Sequence, residues 1–542
     1  RHARLYDAPT DGWRLTVYRA GFTTPAWFRT GVMYQIFPDR FARDSSATAQ
    51  RGMEHHRRMG QTVHCHAGWD EPVEWQANTP EGEYAPVDFY GGTLRGIADR
   101  LHYLRKLGVT VLYLNPIFES ASNHRYDTGD YRKVDPILGT NADFKKLCAA
   151  AADCGIRIVL DGVFAHTGAD SRYFNRFRHY PGCGAYNSSN SVYARWYSFA
   201  HYPDDYKCWW DFKDLPAVNA ANPDWRKYMI TGERSIVKTW LRDGASGWRL
   251  DVADELPDDV LRGMRSAAKE TDPDSVLLGE VWEDAVTKVS YGERRQYALG
   301  DALDSVMNYP LRDGLVTFLT GRSTARALAD LLLSQRLNYP RPLYYALMNL
   351  TASHDVARTR SALALDFDPR SRTRAELAAL EITDAMAARG AQLQVLAAAV
   401  QFWLPGIPSI YYGDETGMQG LCDPFNRAPL QMCDTQMLQW YAQLTALRHA
   451  HPALTRGEVA VFAPAGDVLC VLRVIADGRD AFGEEAEDEA LLLTVNRAAH
   501  PVRCHVELTC PGAGLCEETR LAFVRSEYDC AADCTDDTHI AI

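Results

Sequence analysis

The sequence predicts an α/β protein, a (β/α)8 TIM barrel with a lobe inserted after strand three and a C-terminal antiparallel β-sandwich. Short apolar runs alternate with longer segments of helical periodicity, and the alternation repeats eight times between about residues 30 and 450. Eight strands that alternate with helices favour a parallel sheet, and their number favours a closed barrel over an open sheet. Polar residues directly follow several strands, which is where such barrels keep their catalytic groups.

The strands and helices follow one another in order along the chain. A helix is predicted over 94–107, because its leucine and isoleucine side chains share one face, and Gly108 ends it. A second helix over 142–153 is ended by Gly155 in the same way. The predicted strands cover 32–37, 109–114, 156–160, 247–250, 275–278, 303–307, 347–351 and 407–411.

Three regions are predicted along the chain. They are an N-terminal segment, 1–28, the barrel, 29–454, and a C-terminal region, 455–542, whose short alternating strands indicate a β-sandwich. Two polar insertions lengthen loops of the barrel. The first, 45–88, follows strand one, and the second, 167–222, follows strand three and is expected to form a lobe over the catalytic face.

Composition excludes several classes of protein. The 542 residues are 46% hydrophobic and 24% charged, which excludes a disordered or collagen-like chain. A net charge of −12 repels phosphate backbones, so nucleic acid is not an expected partner, whereas a neutral polyhydroxylated partner is compatible. The most apolar stretch, 393–412, is interrupted by Pro405 and Pro408, so no membrane association is expected.

The N-terminus and the cysteines bear on location. No apolar segment follows the charged residues at the N-terminus, so no signal peptide is visible and a cytoplasmic location is expected. The chain does not begin with Met, so the presence of a segment upstream of residue 1 stays an open question. Six of the thirteen cysteines lie after residue 465, and both a reduced and an oxidised state remain open for them.

Polar side chains at the strand ends are the candidate active site. The residues that follow strands three, four, five and seven are Asp161, His166, Arg249, Asp251, Glu280, His354 and Asp355. Period-two alternation along strand four points Arg249 and Asp251 into the same barrel mouth. Asp251, Glu280 and Asp355 are therefore expected to converge there as three carboxylates.

Three buried carboxylates cannot all be ionised side by side at low cost, so one of them is protonated, or cations hold them, or both. We expect Arg249 to keep Asp251 ionised and to leave Glu280 free to carry a proton at neutral pH. An ionised carboxylate opposite a protonated one is the equipment for glycoside hydrolysis through an oxocarbenium-like transition state.

Several segments resemble the α-amylase family of glycoside hydrolases, family thirteen. The strand-end motifs occur in the family's order, and further segments resemble its neopullulanase, cyclomaltodextrinase and amylopullulanase branch. Those segments are MYQIFPDRF at 33–41, LPAVN at 215–219, GWRLDVADE at 247–255 and VMNYP at 306–310. The resemblance covers about residues 30 to 542 and implies the same barrel and an α-glucan substrate.

The resemblance implies a role for each carboxylate. Asp251 matches the nucleophile that forms the glycosyl-enzyme intermediate, Glu280 matches the general acid/base, and Asp355 matches the carboxylate that grips sugar hydroxyls and stabilises the transition state. Arg249 matches the arginine paired with the nucleophile. Glu255, four residues after the nucleophile, resembles a residue on the acceptor side.

Further positions resemble residues that bind sugar. His166 and His354 match histidines of subsite −1, and Tyr126 matches the aromatic platform beneath that sugar. Asp423 and Arg427 resemble the pair that closes the non-reducing side, although a surface ion pair is an alternative interpretation for them.

Two candidates stay open on the sequence alone. Asp161 is interpreted as a structural brace for Arg249 rather than a catalytic residue. Trp209 and Trp210, in the inserted lobe, fit sugar stacking and core packing equally well.

The sequence departs from the family pattern in ways that concern calcium. Ala165 stands where α-amylases carry an Asn that ligates calcium, and Thr93 follows Gly91-Gly92 where the branch carries an Asp. Neither place supplies the six to eight oxygens that calcium prefers. His64-Cys65-His66 looks like a ligand cluster, but no second pair follows at zinc spacing. We therefore predict no metal and no cofactor.

The expected activity is a retaining hydrolysis of α-1,4 bonds, with α-1,6 bonds as a second target, in maltodextrins, starch, pullulan or cyclodextrins. A transglycosylase or isomerase of the same family is the first alternative, since its first chemical half is identical. A catalytically inactive carbohydrate-binding or transporter-accessory protein is the second. Only 28 residues precede the barrel where the branch usually carries a complete β-sandwich that contributes to dimers, so segment 1–28 is interpreted as its remainder and the oligomeric state stays open.

Overall fold

The computed structural model describes residues 15–80, 82–507, 533–536 and 539–541, with side chains described up to residue 504. Eight parallel strands, β1 to β8 in chain order, form one sheet. They span Met33–Ile36, Val111–Leu114, Arg157–Gly162, Gly247–Leu250, Val276–Gly279, Ser305–Val306, Met348–Leu350 and Ile407–Tyr411. The sheet order is β6-β5-β4-β3-β2-β1-β8-β7, and a bridge between Met307 and Met348 joins its two ends. The predicted (β/α)8 barrel is confirmed.

The barrel strands are buried on both faces, which explains why they read as continuous apolar runs. Alternate side chains point inward and form one closed cluster, with Met33, Val111 and Val159 among its members. The side chains between them, such as Leu112 and Leu160, belong to the larger core shared with the surrounding helices. Period-two alternation thus assigns each strand residue to one of two cores.

Helices surround the barrel, and their bounds follow the capping residues. The predicted helix over 142–153 begins one residue earlier, because Thr140 and Asp143 form a capping box. The predicted helix over 94–107 is broken at Arg100, whose N–H bonds to Ile97 O in a tighter turn. The described α-helices are Ala26–Arg29, Thr48–Met59, Leu94–Asp99, Leu101–Lys106, Asn141–Asp153, Pro223–Arg226, Ile236–Arg242, Asp258–Thr271, Tyr309–Leu319, Ala325–Asn338, Arg341–Tyr344, Thr359–Ala364, Arg374–Ala378, Asp384–Trp403, Thr435–Ala450 and Pro452–Arg456.

Both predicted insertions are ordered by their own short elements. The first contains helix Thr48–Met59, and its strand His64–Cys65 pairs with Asp88–Phe89. The two ring nitrogens of His66 lie 2.9 Å from Glu71 Oε2 and 3.2 Å from Asp88 Oδ2, so both of them contact carboxylates. The other short strands lie in the loops after β2, β3 and β5, namely Phe118–Ser120, Thr128–Val134, Phe199–His201, Asp205–Tyr206, Val289–Ser290 and Glu293–Arg294.

The C-terminal region is antiparallel, as predicted. One sheet has the order Glu458–Ala465, Val468–Ile475, Glu489–Asn496, and its middle strand is buried along its whole length. A second sheet contains His505–Glu507, Asp533–Asp536 and His539–Ala541. The boundaries at 28/29 and 454/455 stay predictions. So does the redox state of the tail, because Cys510, Cys516 and Cys530 lie outside the described residues. In the described part of the chain, no helix is long and apolar enough to cross a membrane.

A buried polar network ties the two insertions to the loop after β2. His56 Nε2 lies 3.1 Å from Asp135 Oδ1, and Arg125 Nε donates to Asp135 Oδ2 at 3.0 Å. Gln61 contacts His56 and donates to Asp170 of the lobe at 2.8 Å. Burial works against ionisation of Asp135, but Arg125 and His56 outweigh it and lower the pKa of Asp135 to about 2.

We predict that Asp135→Asn lowers the free energy of unfolding by about 3–5 kcal/mol at pH 7, because it leaves a buried arginine without its counter-ion. A carboxyl whose pKa is lowered on folding contributes stability above its unfolded pKa, near 4, and loses it as the pH falls towards 2. The difference between wild type and variant should therefore shrink by about 1 kcal/mol between pH 7 and pH 3. Urea titrations measure both values, with Asp330→Asn on an exposed helix as the control. Equal stability at pH 7 would contradict the prediction.

Candidate active site

The strand register brings the predicted residues together at the carboxyl ends of the barrel strands. Arg249 of β4 stands opposite Asp161 of β3 in the parallel ladder, so both side chains enter the barrel mouth. Asp251 directly follows β4 and Glu280 directly follows β5. All four side chains are almost completely buried.

Arg249 is the centre of the carboxylate cluster. Its Nη1 donates to Asp161 at 2.9 Å and to Asp251 at 2.8 Å. Its Nη2 lies 2.7 Å from Glu280 Oε2, an ion pair by distance without the alignment of a hydrogen bond. Asp161 also accepts from the Tyr113 hydroxyl at 2.6 Å, which supports its interpretation as a brace. Arg249 thus does not pair with Asp251 alone, because the same guanidinium also reaches Glu280.

One guanidinium cannot balance the three carboxylates that it touches. Burial raises the pKa of Asp251 well above the usual carboxyl range; Arg249 acts against this shift and the Glu280 carboxylate adds to it. Burial also raises the pKa of Asp161 and of Asp355, again against Arg249. The carboxyl groups around Arg249 therefore titrate as a coupled unit. The assignment of a proton to Glu280 stays a prediction.

The backbone after the nucleophile candidate is strained. Val252, the next residue, has φ 40°, which a β-branched residue rarely adopts. In this conformation its N–H donates to Glu280 Oε2 at 2.8 Å. The peptide between Asp251 and Val252 thus links Asp251 to Glu280.

Tyr126 is held in place by its hydroxyl group. The hydroxyl donates to Asp161 at 2.8 Å and lies 2.9 Å from Asn115 Nδ2 and 2.5 Å from His354 Nε2. Gln35 of β1 donates to His354 Nδ1, so the proton of a neutral His354 belongs on Nε2. Burial lowers the pKa of His354 well below its usual value, with Arg249 adding to the shift. The Tyr126 and His354 rings lie parallel, 5.3 Å apart.

The remaining histidine candidate is bound to the same loop. His166 Nε2 lies 3.1 Å from the backbone oxygen of Tyr126, and burial lowers the pKa of His166 to about 4. His166 is therefore neutral near pH 7. His124, which sequence reasoning missed, accepts the Tyr126 N–H at 3.0 Å and so fixes the same platform from the other side. Its position two residues before Tyr126 was the only sequence signal.

The Asp423–Arg427 pair is bound to the loop that carries His354 and Asp355 and is not an isolated surface pair. Arg427 Nη1 lies 2.8 Å from Asp423 Oδ1, and Arg427 also donates twice to the backbone oxygen of His354. Arg427 is buried, whereas Asp423 is 41% exposed. The pair is thereby anchored directly behind the loop that carries Asp355.

Aromatic residues surround Glu255 on the other side of the cleft. The Trp210 indole N–H points to Glu255 Oε1 at 3.4 Å, and the Tyr291 hydroxyl donates to the same oxygen at 2.5 Å. Trp210 is 73% exposed and Tyr291 75% exposed, which excludes core packing for Trp210. Both residues have positive φ, 47° and 53°. Two strained loops therefore hold exposed aromatic rings over one carboxylate.

Comparisons with known proteins identify the family. The family model of the alpha amylase catalytic domain matches residues 35–433. The chain belongs to the α-amylase family. An amylopullulanase of Thermoanaerobacterium thermosulfurigenes is 36% identical over 545 residues, which cover 93% of this chain and 28% of that protein. The chain spans 28 to 40% of the length of the three amylopullulanases that it matches. The predicted resemblance to this branch is confirmed.

Solved structures agree with this assignment. The cyclic α-maltosyl-(1→6)-maltose hydrolase from Arthrobacter globiformis has a TM-score of 0.69 and 29% identity, covering 90% of this chain and 94% of that one. The debranching enzyme of Nostoc punctiforme has a TM-score of 0.72 and 26% identity, covering 96% and 97%.

Calcium sites of α-amylases do not fit the residues present here. Ala165 offers no side-chain oxygen, and the hydroxyl of Thr93 caps the next helix by accepting from Gly96 N. The first loop instead contains Arg43, whose guanidinium donates to the backbone oxygens of Tyr90 at 2.6 Å, His66 at 3.1 Å and Ala67 at 3.3 Å. The Arg43 guanidinium thus binds three backbone carbonyl oxygens in this region. In the described residues, no group of three or more His, Cys, Asp or Glu side chains is placed to hold a metal ion.

We predict that EDTA changes neither activity nor melting temperature, since a ligand that the native state does not bind cannot stabilise it. Arg43→Ala should lower the melting temperature by several degrees, because three carbonyl oxygens lose a charged donor. Thermal melts of both proteins with EDTA and with added calcium measure this. A loss on EDTA treatment that calcium restores would contradict the prediction.

Proposed function

We propose that this chain is a retaining α-glucan hydrolase that cleaves α-1,4 and α-1,6 bonds of maltodextrins, starch, pullulan or cyclodextrins. The observation that carries the proposal is the cluster in which Arg249 contacts Asp251 and Glu280 at the ends of adjacent barrel strands. The names of the relatives support the substrate class: they include amylopullulanase, cyclomaltodextrinase and neopullulanase. The names of the solved neighbours, a cyclic α-maltosyl-(1→6)-maltose hydrolase and a debranching enzyme, support the α-1,6 bond.

The proposed reaction has two steps with balanced proton transfer. A carboxylate oxygen of Asp251 attacks the anomeric carbon while Glu280 gives its proton to the leaving glycosidic oxygen, and the bond between that carbon and oxygen breaks. Glu280 then takes a proton from water, whose oxygen displaces Asp251 from the anomeric carbon. Two inversions give net retention, and both carboxyl groups return to their starting states.

The surrounding residues bind and orient the sugar at the cleavage point. Tyr126 offers a ring whose plane is fixed by three hydroxyl contacts, and neutral His166 and His354 offer hydrogen bonds without a competing charge. Asp355, a quarter exposed, offers carboxylate oxygens to sugar hydroxyls. Asp423 and Arg427 close the non-reducing side. No step of this proposal needs a metal or a cofactor.

We predict that the first sugar released from maltotriose is the α-anomer, because a retaining enzyme preserves the configuration of the bond that it cleaves. Proton NMR within the first minutes, before mutarotation, measures the anomer. Asp251→Asn should lower kcat by about 10⁴-fold or more, as the removal of a nucleophile does elsewhere. An initial β-anomer would contradict the assignment, and so would an active Asp251→Asn enzyme. Product analysis with pullulan and cyclodextrins then identifies the bonds cleaved.

Transfer to a second sugar is a second candidate activity, and the residues around Glu255 favour it. Exposed rings at Trp210 and Tyr291 offer apolar faces to an acceptor sugar where the leaving group departs. A sugar held there would compete with water for the glycosyl-enzyme intermediate.

We predict that Tyr291→Ala lowers the ratio of transfer to hydrolysis products at high maltotriose concentration by about 5-fold, which corresponds to about 1 kcal/mol of ring contact. Chromatography of the products measures the ratio. Val289→Ala, an exposed position in the same hairpin, is the control and should leave the ratio unchanged. An unchanged ratio in Tyr291→Ala would exclude this residue from the acceptor side.

A further inference from the structure

Two aromatic residues join the acid/base candidate to the third carboxylate. Trp282 lies two residues after Glu280, and Tyr309 begins helix Tyr309–Leu319 after β6. Their rings stack with centroids 3.8 Å apart and planes 4° from parallel. The Trp282 indole N–H donates to Glu280 Oε1 at 3.0 Å, and the Tyr309 hydroxyl donates to Asp355 Oδ2 at 3.1 Å.

Tyr309 is the fixed member of the pair. It is buried, and Asn308 caps its helix by accepting the N–H of Leu311. Its hydroxyl lies 3.2 Å from Ser353 Oγ, which in turn accepts the N–H of Asp355. Burial, with the Asp355 and Glu280 carboxylates adding to it, raises the pKa of Tyr309 well above its usual value. The hydroxyl therefore remains protonated, and can donate, at neutral pH.

Trp282 is the adjustable member of the pair. It lies in a loop and is 38% exposed, so the barrel core does not fix its ring. The only aromatic ring that stacks on it, among the residues described, is that of Tyr309. The Tyr309 ring therefore holds the plane of the indole, and the indole N–H lies in that plane.

The two oxygens of Glu280 have different partners. Oε2 accepts from Val252 N at 2.8 Å and lies 2.7 Å from Arg249 Nη2. Oε1 accepts only from Trp282 among the described residues. A carboxyl oxygen has two lone-pair directions, so Oε1 is the oxygen that can face a glycosidic oxygen while Trp282 occupies its other side.

We propose that Trp282 and Tyr309 are positioning residues that hold Glu280 and Asp355 in a fixed relation through their ring stack. The inference rests on the roles proposed above for these two carboxylates. Trp282 sets the direction in which Glu280 Oε1 delivers its proton. Tyr309 sets the orientation of the Asp355 carboxylate, which binds the sugar hydroxyls. A displacement of one ring is transmitted to the other carboxylate.

Two substrates separate these effects. Hydrolysis of maltotriose requires protonation of a poor leaving group, whereas α-maltosyl fluoride loses fluoride with little protonation. Trp282→Phe keeps the stack and removes the N–H, Trp282→Ala removes both, and Tyr309→Phe keeps the stack and removes the hydroxyl. Trp27→Phe is the matched control, since Trp27 also donates an indole hydrogen bond, at 2.9 Å, but to Asp274 O.

In Trp282→Phe we expect kcat on maltotriose to fall about 10-fold or more, with kcat on the fluoride within about 2-fold of wild type. Trp282→Ala should lose activity on the fluoride as well, because Tyr309 and hence Asp355 are displaced. Tyr309→Phe should lose kcat on both substrates, because Asp355 acts on the sugar rather than on the leaving group. A melting curve of each variant tests whether it folds. If Tyr309→Phe does not fold, the two Trp282 variants are enough to test the proposal.

Three results would overturn the proposal. The first is an equal loss of kcat on both substrates in Trp282→Phe. The second is a change in Trp282→Phe that is confined to KM, as expected if the ring only binds sugar. The third is an equal rate of Trp282→Phe and Trp282→Ala on the fluoride. Glu280→Gln, assayed in parallel, keeps this failure distinct from failure of the proposed function. If Glu280→Gln spares the fluoride and Trp282→Phe does not, only the positioning role is wrong. If Glu280→Gln loses both substrates equally, the acid/base assignment itself is wrong.

Discussion

The site depends on one buried cation. The Arg249 guanidinium contacts Asp161, Asp251 and Glu280, and no second cation shares these contacts among the described residues. A buried charge is tolerated only where it is paired, so the arginine and the carboxylates require one another. The register of β3 and β4 makes the arrangement unavoidable, because it places Arg249 directly beside Asp161 in the ladder. One positive charge stands against three carboxyl groups, so their titrations are coupled through Arg249.

The loops around this cation are held by polar networks rather than by packing alone. Tyr126 is fixed by Asp161 and His354, and the preceding residue, Arg125, is bound to Asp135 in the network that reaches both insertions. Arg43 closes the first insertion through backbone oxygens. Loops with many polar backbone groups cannot be buried without such partners. The same networks that stabilise the insertions therefore also hold the Tyr126 side chain.

The sequence predicted the barrel because its strands are buried on both faces, and the bounds of β4 and β8 agree with the prediction residue for residue. It also placed the Arg249 and Asp251 side chains at the same end of the barrel, since period-two alternation depends on the strand alone and not on the loops. It did not reveal the break at Arg100 or the roles of His124, Trp282 and Arg43. Arg43 and the Trp282 ring have partners distant in sequence, whereas the Arg100 turn and the His124 contact are local details that the apolar periodicity does not report. The contact between Arg249 and Glu280 was also missed. It joins two different strands, and the sequence does not give the side-chain conformations that bring the two groups together.

The two sides of the cleft differ in a way that suits a two-step reaction. On the proposed non-reducing side Arg427 is buried and donates twice to the backbone oxygen of His354, the residue before Asp355. On the other side the rings of Trp210 and Tyr291 are mostly exposed and are held on strained loops. In the proposed mechanism one sugar stays bound at Asp251 through both steps, so the residues around that sugar can keep their positions. The leaving sugar must depart and be replaced by water or by another sugar. This exchange requires residues that bind sugar through their ring faces and remain open to solvent.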